Sequence, residues 1–257
     1  MIKQYPPPVT PPAPVLVACA HGTRSASGRR AIARTRLDVA ALRPGLEVVA
    51  AYVDVQKPQL RDVVRRLSDA GRSCVVVPLL LACGYHVRVD VTQAVAEGRG
   101  LAVEAPALGP DPALVDVLVD RLAEVGSGDG TTPGNDDAAL VLGAAGSSDP
   151  DAVADVEQVA ADLAARIGRP VTTGYLSAAA PTLADAVAAA RTGGRPVTTV
   201  TFLLSPGFFA DRLAEAGADR ATAPLAPHPR LAELVLRRYD DAVASFPGRV
   251  SPRLPRS

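Results

Sequence analysis

Tryptophan is missing from this chain, methionine occurs once and phenylalanine four times. The apolar residues, 48% of the total, are dominated by alanine and valine, which describes an aliphatic globular core. Cysteine is scarce as well. Cys19, Cys74 and Cys83 are an odd number, too few for a disulfide framework, and they contain no CxxC pair for an iron–sulfur cluster. No apolar run approaches the roughly 20 residues of a membrane span, and the opening MIKQYPPPVTPPAPVLVACA has neither the basic start nor the long apolar core of a secretory signal. A protein of the cytoplasm, a reducing compartment, is expected. Neither sign of charge predominates, since 27 Lys+Arg balance 27 Asp+Glu. Bulk charge therefore points to no nucleic-acid or membrane-surface partner, and any steering of a ligand must be local.

What the chain does contain is a run that organises the rest, VVVPLLLACGYHVRVD from Val75 to Asp90. Its unbroken apolar start reads as a strand buried on both faces of a parallel sheet, short or bulged at Pro78 because proline removes a ladder donor. Gly84 then breaks the run. Tyr85, His86, Arg88 and Asp90 follow just beyond the strand's carboxyl end, the edge at which open α/β sheets bind ligands.

The same alternation runs along the chain. After a proline-rich arm at residues 1–14, Val15 to Ala20 reads as a strand, followed by His21-Gly22-Thr23-Arg24 and a helix to about Leu42. Leu46 to Val53 reads as a second strand, and Pro58 is expected in the first turn of the helix that Gly71 stops. Leu101 to Ala105 and a helix from Asp111 to Val125 complete the unit. A lobe over 15–125, a glycine- and proline-rich linker over 126–137, a second lobe over 138–247 and a tail over 248–257 are expected. Buried strands alternating with helices imply parallel sheets with right-handed crossovers.

The second lobe echoes the first. LVLGAAGS from Leu140 matches LVACAHGT from Leu16, GYLSAAAPTLADAV from Gly174 matches AYVDVQKPQLRDVV from Ala51, and TFLLSPGFFADRL matches PLLLACGYHVRVD. Gly84 with Gly207 and Pro58 with Pro181 are both 123 apart, and Gly22 with Gly146 is 124. Two copies of one doubly wound α/β unit, duplicated and fused, explain this spacing. The copies share their strand hydrophobes and turn glycines, which are what a fold needs. They differ where His21 meets Ala145, Asp54 meets Ser177 and His86 meets Phe209, and Arg24 and Arg88 have no basic counterparts. The scaffold does not require these polar groups. With a flavodoxin-like strand order of 2-1-3-4, His21 and His86 would face each other across the switch point, with Asp54 one strand away. Two imidazoles and a carboxylate suit a divalent ion such as Fe(II), Co(II) or Zn(II) with coordination positions left open, or proton transfer near neutral pH. Cys19, two residues from His21, is expected on the same face, although a buried cysteine is more often a small hydrophobe. His228, in PHP, reads as a turn or helix-start residue, and HGTR is too poor in glycine to cradle a nucleotide phosphate.

The motifs HGTR at His21 to Arg24, AYVDVQKP at Ala51 to Pro58 and PLLLACGYHVRVD at Pro78 to Asp90 resemble those of the sirohydrochlorin chelatases of the CbiX/SirB type. These lie within the wider class II chelatases that include protoporphyrin ferrochelatase. The resemblance covers both halves and implies two tandem chelatase-like lobes enclosing a tetrapyrrole cleft, with the metal-handling histidines in one lobe. It implies a lyase that inserts a divalent metal into sirohydrochlorin without ATP and with no cofactor beyond the substrate metal, Fe2+ for siroheme being favoured over Co2+ for cobalamin. His21 and His86 would hold the metal and relay protons. Asp54, where the family commonly has glutamate, would orient a ring or accept a proton. Arg24, Arg88, Tyr85 and Gly84, with Lys57 more weakly, would meet the carboxylate-bearing macrocycle, in a monomer whose lobes form the cleft. A non-catalytic tetrapyrrole or metal carrier and a two-lobed small-molecule binding protein are the alternatives. Imidazole ligates only when unprotonated, so activity is expected to fall as pH drops below roughly 6.5, the ordinary histidine value. A rate profile that stays flat down to about pH 5 would contradict that expectation.

Overall fold

Strands and helices alternate throughout the residues described by the computed structural model, which are 12–82, 85–126, 137–192 and 194–246, with backbone alone for Tyr85 to Arg88. Residues 1–11, 127–136 and 247–257, on which most of the expected arm, linker and tail fall, lie outside them. β1 (Val15–Ala20), β2 (Val48–Tyr52), β3 (Cys74–Pro78) and β4 (Ala102–Glu104) pair in parallel in the order β2-β1-β3-β4. β5 (Ala139–Ala144), β6 (Val171–Tyr175), β7 (Val197–Phe202) and β8 (Arg220–Ala221) repeat it as β6-β5-β7-β8. The fold is thus α/β with two parallel sheets, and the switch point of each lies beside its first strand, as expected. No helix among the described residues is long and apolar enough to cross a membrane.

Two local expectations are refined. β3 ends at Pro78, whose ring carries no N–H, while the next residue, Leu79, still donates its N–H to the Cys19 carbonyl of β1 at 2.7 Å. Pro58 does not enter the first turn of α2 (Leu60–Asp69); Gln59 holds the position ahead of that helix without a side-chain cap bond, and Pro58 instead offers its carbonyl to the Tyr52 N–H at 3.0 Å. Its counterpart Pro181 accepts the Tyr175 N–H at 3.1 Å ahead of α6 (Leu183–Ala190).

Each sheet buries two faces. On the outer face of the first, Val15, Val17, Cys19, Cys74 and Val76 pack against Leu60, Val63, Val64 and Leu67 of α2 and against Val91 and Ala94 of α3 (Tyr85–Ala96). The outer face of the second packs against α6 and Leu213 of α7 (Phe208–Ala214). The inner faces share one cluster. It joins Leu16, Ala18, Val75 and Val77 to Leu140, Leu142, Val200 and Phe202 through α1 (Ala26–Leu42), α4 (Pro112–Gly126), α5 (Pro150–Ile167) and α8 (Pro229–Ala244).

The last helix of each copy crosses to the other. α4 lies against α5 and β7, while α8 lies against α1 and β3. The exchange is tied down reciprocally. Arg121 of α4 donates to the carbonyls of Leu225 and Pro227 just before α8, at 3.1 and 2.8 Å. Arg238 of α8 donates to those of Ala107 and Leu108 just before α4, at 3.0 and 3.1 Å. Asp111 receives Arg237 at 2.6 Å and Arg238 at 3.1 Å, and Tyr239 donates its hydroxyl to the Pro14 carbonyl at 2.7 Å.

His228 caps α8, as its place in PHP suggested. Its Nδ1 accepts the Arg230 N–H at 3.3 Å, and Nε2 stands 3.4 Å from Asp120. Burial, reinforced by Arg121 and Arg230 and opposed by Asp120 and Glu124, lowers its pKa below the usual histidine value. A basic group depressed in the folded state contributes stability that is complete above the unfolded value, about 6.5, and is lost as pH falls through the folded one. His228→Asn keeps a capping acceptor without the titration. Denaturant unfolding should show the wild type losing more stability than this variant between about pH 7.5 and about pH 5, and equal losses would refute the assignment.

Candidate functional site: a cavity between the lobes

The carboxyl ends of β1, β2 and β3 and those of β5, β6 and β7 line one cavity of about 380 Å³, within the usual range for small-molecule sites. Its walls are the duplicated positions: Ala20 and Ala144, Tyr52 and Tyr175, Leu79 and Phe202, Leu81 and Leu204, with Ile32 of α1 opposite Val156 of α5. Tyr175 is fully buried, and burial raises its phenol above the ordinary tyrosine value. A surface so apolar offers a flat hydrophobic ligand dispersion and desolvation rather than hydrogen bonds.

One wall differs. His21 lines the cavity, exposed to it just past β1, where Ala145 stands in the second copy, and it is the one imidazole among the described lining residues. Parallel pairing continues past the strand ends to place it, with Val53 N–H on the Ala20 carbonyl and Asp54 N–H on the His21 carbonyl, both at 3.0 Å. Gly22 then turns the chain at φ 102°, and a Cβ there would sit 2.4 Å from the Asp54 carbonyl oxygen, so only glycine fits. Thr23 hands on to Ser25, whose N–H its Oγ1 accepts at 3.1 Å and whose Oγ caps α1 through the Gly28 N–H at 3.2 Å. Gly28 matters for a different reason: a Cβ there would stand 2.4 Å from the Pro206 carbonyl oxygen, so the first turn of α1 abuts the loop after β7 across the lobes.

The other predicted residues are distributed as follows. Asp54 is exposed at the end of β2, and its Oδ1 accepts the Val55 N–H at 2.7 Å; it, Arg24 and Lys57 are exposed and stand beside the cavity wall rather than in it. Tyr85, His86 and Arg88 lie in the first turn of α3, directly after the loop from Leu79 to Ala82 that lines the cavity, and their side chains, like Gly84 and Cys83, lie outside the described residues. Among the described residues no three His, Cys, Asp or Glu side chains gather as a metal cluster. Cys19 does not share the face of His21. It is wholly buried on the outer face among Val17, Leu60 and Val63, because β1 ends at Ala20 and the turn at Gly22 ends the two-residue alternation on which the expectation rested. Burial pushes the Cys74 thiol up to about 11, which makes it inert as a ligand or nucleophile at neutral pH.

Sequence reasoning expected both lobes to form the cleft but named none of the apolar wall residues of the second lobe, α1 or α5, and it missed Gln56, whose Oε1 accepts the Thr23 N–H at 2.8 Å. The pairing of Tyr52 with Tyr175 at equal spacing was the available signal for the former. Gly22→Ala should move the His21 turn and cost about 1–3 kcal/mol of stability, measured by denaturant unfolding. A variant as stable as the wild type would show that the turn is not strained.

The CbiX family model matches residues 15–125 and 139–242. A sirohydrochlorin cobaltochelatase of Priestia megaterium is 25% identical over 205 residues, 76% of this chain and 65% of that protein. One of Sulfurisphaera tokodaii is 28% identical over 76 residues, 29% of this chain, and the match spans 63% of that shorter protein's length. Among solved structures, SirB from Bacillus subtilis with Fe3+ superposes with a TM-score of 0.78 at 20% identity, covering 92% of this chain and 98% of that one. CbiX, described as the terminal enzyme for biosynthesis of siroheme in denitrifying bacteria, gives 0.68 at 20% identity, covering 89% and 99%. These structural likenesses concern the fold, while the family match takes in both lobes, the turn that carries His21 and the β3–α3 segment that carries His86. On that match, this two-lobed chain belongs to the CbiX family.

Proposed function

We propose that this protein is a sirohydrochlorin chelatase, exchanging the two pyrrole protons of the free macrocycle for one divalent metal ion. The observation that carries this reading is the asymmetry of an otherwise symmetric cavity: two lobes supply matching apolar walls, and only one presents an imidazole. The apolar faces of a planar macrocycle suit such walls, its carboxylates lying at the rim, and a metal delivered from the histidine side meets one of its faces. Relatives in the family are named sirohydrochlorin cobaltochelatases, which supports the substrate.

His21 and His86, each as the neutral ring, present a nitrogen lone pair to the ion. As the macrocycle's nitrogens displace them, two N–H protons leave, and the freed imidazole nitrogens receive them. Asp54, beside the His21 carbonyl, serves proton release rather than ligation. Arg24, Arg88 and Lys57 pair with the carboxylates at the macrocycle's edge. The metal is substrate, no nucleotide takes part, and the protein works as a monomer in the cytoplasm. Iron is favoured over cobalt as the physiological ion.

The test is spectroscopic. Protein is mixed anaerobically with sirohydrochlorin and Fe(II) or Co(II), and the macrocycle's absorption is followed against a protein-free control. The wild type should accelerate insertion, and His21→Ala and His86→Ala should each lower the rate by at least about a hundredfold, the usual scale for a proton-transfer or ligating group. Binding without acceleration would establish a carrier instead, and no spectral response to either component would end the tetrapyrrole reading.

A further inference from the structure

The loops after β1 and β2 are joined differently in the two copies. In the first, the Gln56 side chain reaches the Thr23 N–H from within the cavity wall, and both residues line the cavity. In the second, the exposed Ser177 hydroxyl donates to the Ala145 carbonyl at 2.8 Å, and Ser177 is not among the lining residues. Much of the rest of this junction is duplicated, although the Asp54 N–H on the His21 carbonyl and the Gln56 N–H on the Asp54 carbonyl belong to the first copy. Val55 and Ala178 both adopt positive φ, 56° and 55°, and Gly22 and Gly146 turn at 102° and 87°. Val53 N–H bonds to the Ala20 carbonyl as Leu176 N–H bonds to that of Ala144. Ala179 occupies the place of Gln56. The backbone therefore reaches the same conformation with or without a glutamine.

What the glutamine adds is an anchor on the far side of a pivot. His21 is held through its carbonyl by Asp54, but Gly22 follows it, and glycine leaves the chain free to rotate. Fixing the Thr23 amide closes that freedom on the cavity side. Ala145 has no ring to aim, and its copy makes its link outside the cavity.

We infer that Gln56 is a positioning residue, holding the His21-Gly22-Thr23 turn so that the imidazole keeps one orientation toward the cavity. The inference rests on the reading of His21 as a metal-handling group. A carboxylate can accept the same N–H, so Gln56→Glu preserves the anchor, whereas Gln56→Ala reproduces the second copy's residue and removes it.

Three measurements on the full chain test this. In Gln56→Ala, hydrogen exchange at the Thr23 amide should quicken by about tenfold or more, kcat for Co(II) insertion should fall about tenfold, KM should stay within about twofold and the melting midpoint within about two degrees. Gln56→Glu should restore exchange and kcat to within about threefold of the wild type. A loss of melting temperature with kcat unchanged, or a glutamate variant no better than alanine, would overturn the inference. If the wild type inserts no metal, the chelatase reading fails by itself. Thr23 exchange and the affinity of the protein alone for Co(II) then still decide the role of Gln56: both altered in Gln56→Ala supports it, and both unchanged overturns it.

Discussion

The inner face of each sheet is completed by a helix borrowed from the other half. α4 covers β7 and α8 covers β3, so Leu114, Leu118, Leu231 and Leu234 are all buried in a core that belongs to neither copy alone. Fully burying such a side chain is worth about 1.5–3 kcal/mol, and a lobe without its partner's helix would expose that surface to water. The arginine clasps add direction to this non-directional force. Arg121 and Arg238 each saturate carbonyls in the segment leading into the opposite helix, which sets where the helices sit along one another.

The cavity follows from that constraint. Because the inner faces are held together, the carboxyl ends of both sheets converge on one volume, with α1 and α5 forming its sides. A groove at the switch point of a single open sheet would be bounded on one side by solvent. Here the second sheet is the other wall, and the close approach of Gly28 to the Pro206 carbonyl fixes how near the walls come. The site is thus walled on two sides by the same packing that stabilises the fold.

Duplication also separates scaffold from chemistry. Positive-φ glycines, proline carbonyls that cap the second strands and apolar walls recur in both copies, and all of them serve the backbone. Only the first carries His21, Asp54 and Gln56 at those places. Ala145 in the place of His21 keeps the second copy's wall apolar.

The strand order, the parallel pairing, the two lobes and the place of His21 were legible in the chain, because each depends on local pattern: apolar runs of strand length, glycine where the backbone turns left-handed, and a repeat that marks shared positions as structural. His228 as a helix cap was legible for the same reason. Other features were not. That Cys19 faces away from His21 depends on where β1 ends; that α4 and α8 change places depends on which inner face is left uncovered; and that Gln56 reaches Thr23 joins residues 33 apart through a side chain. None of these leaves a periodicity behind. The sequence by itself determined the repeated α/β unit and the copy that carries His21 and His86, since those are written in the order and spacing of residues along the chain. Tertiary structure alone decided the exchange of helices and the residues that wall the cavity, because burial is settled by which surfaces meet, and these meet across more than a hundred residues of chain.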